Sequence, residues 1–276
     1  MKRKLSLFRI LIFIFAVIWL IIAVAPFIFQ IFTTFKSQGE FIMGSLFKLP
    51  ERIHFSNYIN VLTSGFHNYF INSVLVIIIS LTLLLMFSSF AAYPLSRMRF
   101  KFNRLIYSAI VAAMSIPIHI TLIPVFVMSI NFRIYDSIFA LIGPNVAFNL
   151  PISVFILTSF MQTISREMEE AAEIDGCGKF STFFKIILPL SKPGLATLAI
   201  YNGVMIWNEF VFAMTLTQST RSYTLPLAVW QYQGQYGINI PLIMTLLFLT
   251  SLPIILLYII GQDKLIKGMM AGAVKG

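Results

Sequence analysis

The chain has 276 residues, 58% of them hydrophobic and only 11% charged, with a formal net charge of +10. A soluble domain is about 45–50% apolar and about 25% charged; a mean hydropathy of +0.88 therefore excludes a soluble enzyme, a nucleic-acid-binding module and a disordered regulator. A single cysteine, Cys177, excludes a disulfide framework and a cysteine-rich metal site.

A bilayer core takes about 20 apolar residues per helix, and six stretches qualify: 10–32, 71–92, 105–129, 138–160, 195–216 and 241–260. In the first, Ala23-Val24-Ala25 looks like a signal-cleavage site. A signal core is about 7–15 apolar residues, whereas this run continues through Pro26 to Phe32, so it reads as an uncleaved span. Segment 33–70 is expected to carry a surface helix capped by Ser56, with Tyr58, Ile59, Val61 and Leu62 dipping into the interface. The third is read as a single stretch from Leu105 to Ser129. The fourth is expected to be broken by Pro144 and Pro151, and the fifth contains one acid, Glu209. Segment 217–240 gathers Tyr223, Trp230, Tyr232 and Tyr236, which suit either a membrane–water belt or a protein contact. No internal repeat is present, so the chain reads as one all-α polytopic membrane domain. It would have short tails at 1–9 and 261–276 and a core of five spans over 71–260.

Lys and Arg set the orientation. With the N-terminus inside, the inner segments hold fifteen of them and the outer segments five: Lys36, Lys48, Arg52, Arg133 and Arg221. Both termini are therefore expected on the cytoplasmic side.

The inner segment 161–194 concentrates five of the ten acids between Glu167 and Asp175. A short helix is expected there, capped by Ser165, with Glu167 and Glu169 at its positive end and an Arg166–Glu170 pair at i,i+4. Gly176 and Gly178 would end it in left-handed conformations. A second short helix would run from Lys179 to Ile187 and stop at Pro189. Met168, Ala171, Ala172 and Ile174 would form a small-residue surface, with the acids displayed outward. From periodicity alone, a solvated amphipathic tether between two spans is the better account.

Glu170-Ala171-Ala172, three residues, Gly176, nine residues, then Ile186-Ile187-Leu188-Pro189 resembles the signature loop of ABC importer permeases, matching at every fixed position. Asn72-Ser73, the run Ala91 to Phe100, Pro117 with Pro124, Trp207-Asn208-Glu209-Phe210 and the tail from Gly268 to Gly276 are similar to the carbohydrate branch, of the maltose type. Departures are Ser165 where Pro is frequent, Cys177 where Ala is common, and His119 where Gln is common.

The resemblance implies a type I permease fold of six transmembrane helices. It also implies an ATPase-coupling role for Glu170, Ala171, Ala172, Asp175, Gly176, Leu188 and Pro189. The implied partners are a second permease subunit, two ATPase subunits and an extracytoplasmic solute-binding protein, in a bacterial-type inner membrane. This chain would be no enzyme and hold no cofactor of its own, ATP and Mg being on the partner ATPase. Gly178-Lys179 is not a phosphate-binding loop: Phe180 follows it, and Glu173 stands where the first glycine belongs.

Polar groups inside a membrane are costly and face cavities or partner helices. Asn208, Glu209 and the nearby Trp207 are the leading candidates for a sugar path, followed by Asn145 and His119, with Asn149 and Asn202 also polar in their spans. The alternative is interhelical hydrogen bonding. Pro144, Pro151 and Gly203 would supply kinks or close contacts. Rival readings are a permease for a polyol or glycerol-phosphate-type solute, an ATP-independent secondary transporter, and a membrane enzyme. The last lacks any metal-ligand spacing among His54, His67 and His119.

Overall fold

The computed structural model describes residues 7–45, 48–234 and 237–273. Its contacts cluster into two compact units, one comprising the described residues up to Phe66 with Val229–Leu252, the other His67–Ala228 with the chain from Pro253 onward.

In the first unit, α1 (Leu7–Thr34) is apolar on every side and leaves Phe8 to Ile28 largely exposed. A helix that is hydrophobic all round suits a lipid surround. Beyond it come α2 (Gln38–Met43), capped by the Ser37 hydroxyl, and α3 (Ser56–Val61). Ser56 is the first residue of α3, not its cap; Phe55 holds that position without a side-chain bond. Nor does this helix only dip into an interface. Val61 is fully buried, Tyr58 shares a 2.8 Å hydrogen bond with the Thr34 hydroxyl, and buried Asn57 donates to the Thr34 and Lys36 carbonyls. Only Ile59 and Leu62 of the expected set are exposed. Gln38 donates to the Ile238 carbonyl and accepts from the Ile240 N–H. A two-residue antiparallel pairing sets Gln233 opposite Ile238.

The second unit is built on α4 (His67–Arg97). Its buried residues Tyr69, Ser73, Val76, Ser80, Leu84, Ser88 and Ala92 recur at three- and four-residue spacing. This is one helix face, and its small side chains admit a close neighbour. The third span is not continuous. It consists of α5 (Asn103–Ala113) and, after a 3-10 turn at Ile118–Thr121, α6 (Leu122–Asn131), with a 93° bend between the segments. Pro117 has no N–H to continue the helix and pushes Ile116 out of the helical region.

α7 (Phe139–Gln162) fills the small-residue face of α4 and is its main packing partner. Contrary to expectation it runs unbroken through Pro144 and Pro151, as membrane helices permit where packing and side chains re-satisfy the backbone. Asn145, Asn149 and Ser153 each bond a carbonyl one turn back.

The remaining elements are α8 (Glu167–Ile174), α9 (Lys179–Thr182), a π-type turn at Phe183–Ile187, α10 (Leu188–Leu190), α11 (Lys192–Trp207), α12 (Val211–Leu216) and α13 (Ile240–Ala273). α11 lies against α4 and α7. Gly194 makes that possible, since a Cβ there would stand 2.8 Å from the Phe160 ring. Gly203, expected to be such a contact, has open space where its Cβ would be. The fifth span is interrupted: α11 ends at Trp207 and α12 begins at Val211.

Among the described residues, three helices are individually long and apolar enough to cross a membrane, up to five spans result if each bent pair counts once, and Ile240–Leu256 adds a shorter apolar helix.

Candidate functional site: the loop between α7 and α11

Loop 161–194 folds at one end of the second unit. The core beneath it contains Ala92, Tyr93, Leu157, Met161, Phe183, Ile187 and Leu198, with Leu188 packed at its edge. The Phe183 ring meets Tyr93 at 5.0 Å and Phe90 at 5.6 Å. The π-type turn and α10 are thereby moored to α4. The helix does not stop at Pro189. It continues to Leu190 and bends by 68° into α11, because a proline in the first turn of a helical segment forfeits an N–H that has no partner there.

α8 ends in a Schellman turn. The Cys177 N–H reaches the Ala172 carbonyl at 2.8 Å, the Gly176 N–H reaches Glu173 at 3.1 Å, and Gly176 sits at φ +80°. Gly178 is extended at φ −75° and opens α9, so only the first glycine is left-handed. The Ser165 hydroxyl accepts the Glu167 N–H at 3.3 Å, although Arg166 is the cap position.

The charges are arranged differently from expectation. Arg166 and Glu170 make no ion pair among the described residues. Instead Glu169 turns inward and meets the Arg97 guanidinium at 3.0 Å, with the Arg97 side chain only 3% exposed. Arg97 also donates to the carbonyls of Met161 and Ile164. Glu173 pairs with Lys179 at 3.1 Å in solvent. Glu167, Glu170, Ala171, Asp175 and Pro189 are exposed. Ala172 is buried, so the expected small-residue surface divides: Ala172 packs inward while Met168, Ala171 and Ile174 face out. Ile174 at 86% and Phe180 at 80% are the most exposed large hydrophobic residues of the loop.

Sequence reasoning missed the contacts that Arg97 and Tyr93 make with the loop, and placed Glu169 only at the positive end of its helix. Arg97 read only as one of several basic residues flanking span two. Its contact partners on the loop lie more than sixty positions away, and no local spacing signals that.

The polar candidates within the spans do not converge on one cavity. Asn145 is buried and its amide bonds the Leu141 carbonyl; Asn202 bonds the Ser153 hydroxyl at 2.9 Å, joining α11 to α7. Both arrangements match interhelical or intrahelical bonding. His119 is exposed on the 3-10 turn. Asn208 is exposed at the end of α11, its amide on the Val204 carbonyl. The Glu209 carboxylate accepts the Phe212 and Ala213 N–H groups at 2.6 and 3.1 Å, capping α12 where the fifth span is interrupted. Trp207 is buried beside Phe70 and borders an apolar cavity of about 150 Å³ with Ile77, Leu81, Gly203 and Pro253.

Of the aromatic segment 217–240, Tyr223 packs on Tyr69 and Trp230 is 46% exposed. The Tyr232 hydroxyl pairs with that of Ser64 at 2.7 Å, and Tyr236 lies outside the described residues. Asp136, at the turn before α7, accepts the Gln218 and Ser219 N–H groups at 2.8 Å each. Burial pushes its carboxyl up, but those N–H groups outweigh burial and hold it below the usual carboxylate value.

The description "Binding-protein-dependent transport system inner membrane component" matches residues 84–270, which include the whole loop. An ABC transporter permease protein of Caldicellulosiruptor sp. is 52% identical over 264 residues, covering 96% of each chain. The diacetylchitobiose uptake system permease protein of Streptomyces coelicolor is 32% identical over 259 residues, covering 93% of this chain and 85% of that one. In fold, the chain is similar to a subunit of a bacterial ABC transporter involved in import of the acidic polysaccharide alginate. That match has a TM-score of 0.82 at 23% identity and covers 95% and 98% of the two chains. The match over most of the chain, together with the loop geometry, places this protein in the family of binding-protein-dependent inner-membrane transport components, as a permease subunit of an ABC importer.

Proposed function

We propose that this permease carries a sugar or oligosaccharide across a bacterial-type inner membrane, and that loop 161–194 docks a partner ATPase. The observation carrying the coupling assignment is the form of the loop. α8 is closed by a glycine-dependent turn and held to the bundle from within, while Glu170, Ala171 and Ile174 remain free on its outer side. A passive tether needs neither a buried ion pair nor an ordered C-cap. Exposed apolar groups beside an acid suit a protein contact with a basic residue at its centre. The sugar assignment is supported by the diacetylchitobiose relative and by the maltose-type motifs in spans two and five.

In this reading a second permease completes the pathway and a solute-binding protein delivers substrate on the side of Trp230. Two ATPase subunits hold ATP and Mg. Both termini lie in the cytoplasm, following the distribution of Lys and Arg. Asn208, Glu209 and Trp207, at the interruption of the fifth span, are the candidates for lining the route.

The test is Glu170→Ala in cells that express the complete transporter. Loss of a charge-assisted contact costs about 1.5–3 kcal/mol, so ATPase captured with the solubilised permease should fall about tenfold or more, and sugar uptake with it. Undiminished capture and uptake would leave the loop without a docking role.

A further inference from the structure

Arg97 closes α4, and its guanidinium meets three parts of the molecule. Through Nη2 it donates to the Met161 and Ile164 carbonyls, at and just beyond the C-terminal end of α7. The last carbonyls of a helix lack intrahelical partners and carry the negative end of the dipole. Arg97 supplies both the donors and the charge. Its Nε faces Glu169 Oε1 at 3.0 Å, an ion pair whose members do not align as a hydrogen bond with each other. The pair is sheltered: the two side chains are 3% and 20% exposed, against 66% and 58% for the Lys179–Glu173 pair on the same loop.

One turn earlier on the same face of α4, Tyr93 donates its hydroxyl to the Lys179 carbonyl at 3.3 Å. Residues four apart on a helix lie one above the other. The end of α4 therefore grips the loop at two places. Arg97 holds the first turn of α8, and Tyr93 holds the start of α9, just past the Gly176 turn.

We propose that Arg97 is the positioning residue that makes α8 move as one body with the α4–α7 pair, and that Glu169, not Glu170, is its counterpart on the loop. This rests on the reading of the loop as the ATPase-docking element. The two adjacent acids then divide the work. Glu170 faces outward to a partner, and Glu169 faces inward to the bundle. A displacement of α8 reaches α4 through a buried charge and reaches α7 through the two carbonyls that the same guanidinium holds. Without that fork α8 can still present its outer face, but its movement is absorbed in the loop. Lysine keeps the charge but cannot reach carbonyls and carboxylate in one rigid plane.

The experiment compares Arg97→Gln, Arg97→Lys, Glu169→Gln and Glu170→Ala in the complete transporter, reading ATPase capture, stimulation of ATP hydrolysis by the loaded binding protein, and uptake. The expected result for Arg97→Gln and Glu169→Gln is retained capture with stimulation and uptake reduced roughly tenfold, within the usual range of site-to-site coupling. Arg97→Lys should recover part of the stimulation. Glu170→Ala should instead lose capture. Glu169→Gln leaves the carbonyl contacts of Arg97 in place, so it carries the test if Arg97→Gln fails to accumulate. Normal stimulation and uptake in Glu169→Gln, with Glu170→Ala defective, overturns the role of the inner pair while sparing the docking reading. Normal behaviour in both overturns both. Loss of capture in Glu169→Gln also overturns the proposal, because Glu169 would then belong to the docking face.

Discussion

Gly176→Val separates backbone geometry from contact more cleanly than any other change in the loop. Gly176 stands at φ +80°, and a Cβ built on it finds nothing within 4 Å. The expected penalty is therefore purely conformational, about 1–2 kcal/mol for placing a Cβ in the left-handed region, and larger for a β-branched residue. Relief by leaving that region would break the bonds from Cys177 to Ala172 and from Gly176 to Glu173, and swing α9 away from Tyr93. A penalty of this size lowers the population of the docking geometry about 5–30-fold. Gly176→Ala should fall short of Gly176→Val, and Gly176→Asn should retain the most function, since asparagine tolerates the left-handed conformation. The assay is detergent pull-down of the ATPase alongside uptake in cells, with Cys177→Ala as a silent control. If Gly176→Asn proves as damaging as Gly176→Val, the positive φ is not the reason glycine is needed. If Gly176→Val keeps full capture and uptake, the turn has no part in coupling.

At the interruption of the fifth span, Asn208→Leu should reduce uptake while ATPase capture persists; normal transport by both Asn208→Leu and Glu209→Leu would place the route elsewhere. Glu209→Leu should also cost about 0.5–2 kcal/mol as a lost helix cap, read as a lower midpoint of thermal unfolding in detergent; an unchanged midpoint would mean α12 needs no cap. Asp136 is held below its usual value, so its stabilisation of the turn at Gln218 and Ser219 is complete at neutral pH and is lost as pH falls through that lowered value. Amide protection at those two residues should drop at acid pH in the parent and be low and flat in Asp136→Ala; equal protection at neutral and acid pH would contradict this. Reporter fusions at Ser37 and Gln233 should read outside and those at Asn103 and Lys179 inside; an inside signal at Gln233 would remove the six-span topology.

The long apolar helices were legible because apolar length is a strong signal, and the Gly176 turn because a glycine after an alanine-rich helical run has a defined stereochemical use. What failed was local reasoning about breaks. Pro144 and Pro151 read as interruptions yet α7 is continuous, whereas Pro117 and the Asn208–Phe210 stretch do interrupt. At Pro117 the difference lies in packing: α7 is held against α4 and α11, while no residue of α5 is buried. The Arg166–Glu170 pair failed for a related reason. Spacing at i,i+4 makes such a pair possible, but an exposed pair is worth about 0.3–0.5 kcal/mol, and it does not organise the loop. Arg97, brought in from another helix, meets Glu169 instead. Gly194 went unnoticed because its role is a contact with Phe160 on a different helix.

The central claim is that the outer side of α8 is a protein-docking surface. Ile174, 86% exposed beside Glu170, is the position to test. A photoactivatable residue there, in the assembled transporter in native membranes, should label the ATPase subunit, and labelling should change when nucleotide is added. Labelling of lipid alone, or none of the ATPase with the transporter active, would contradict the account.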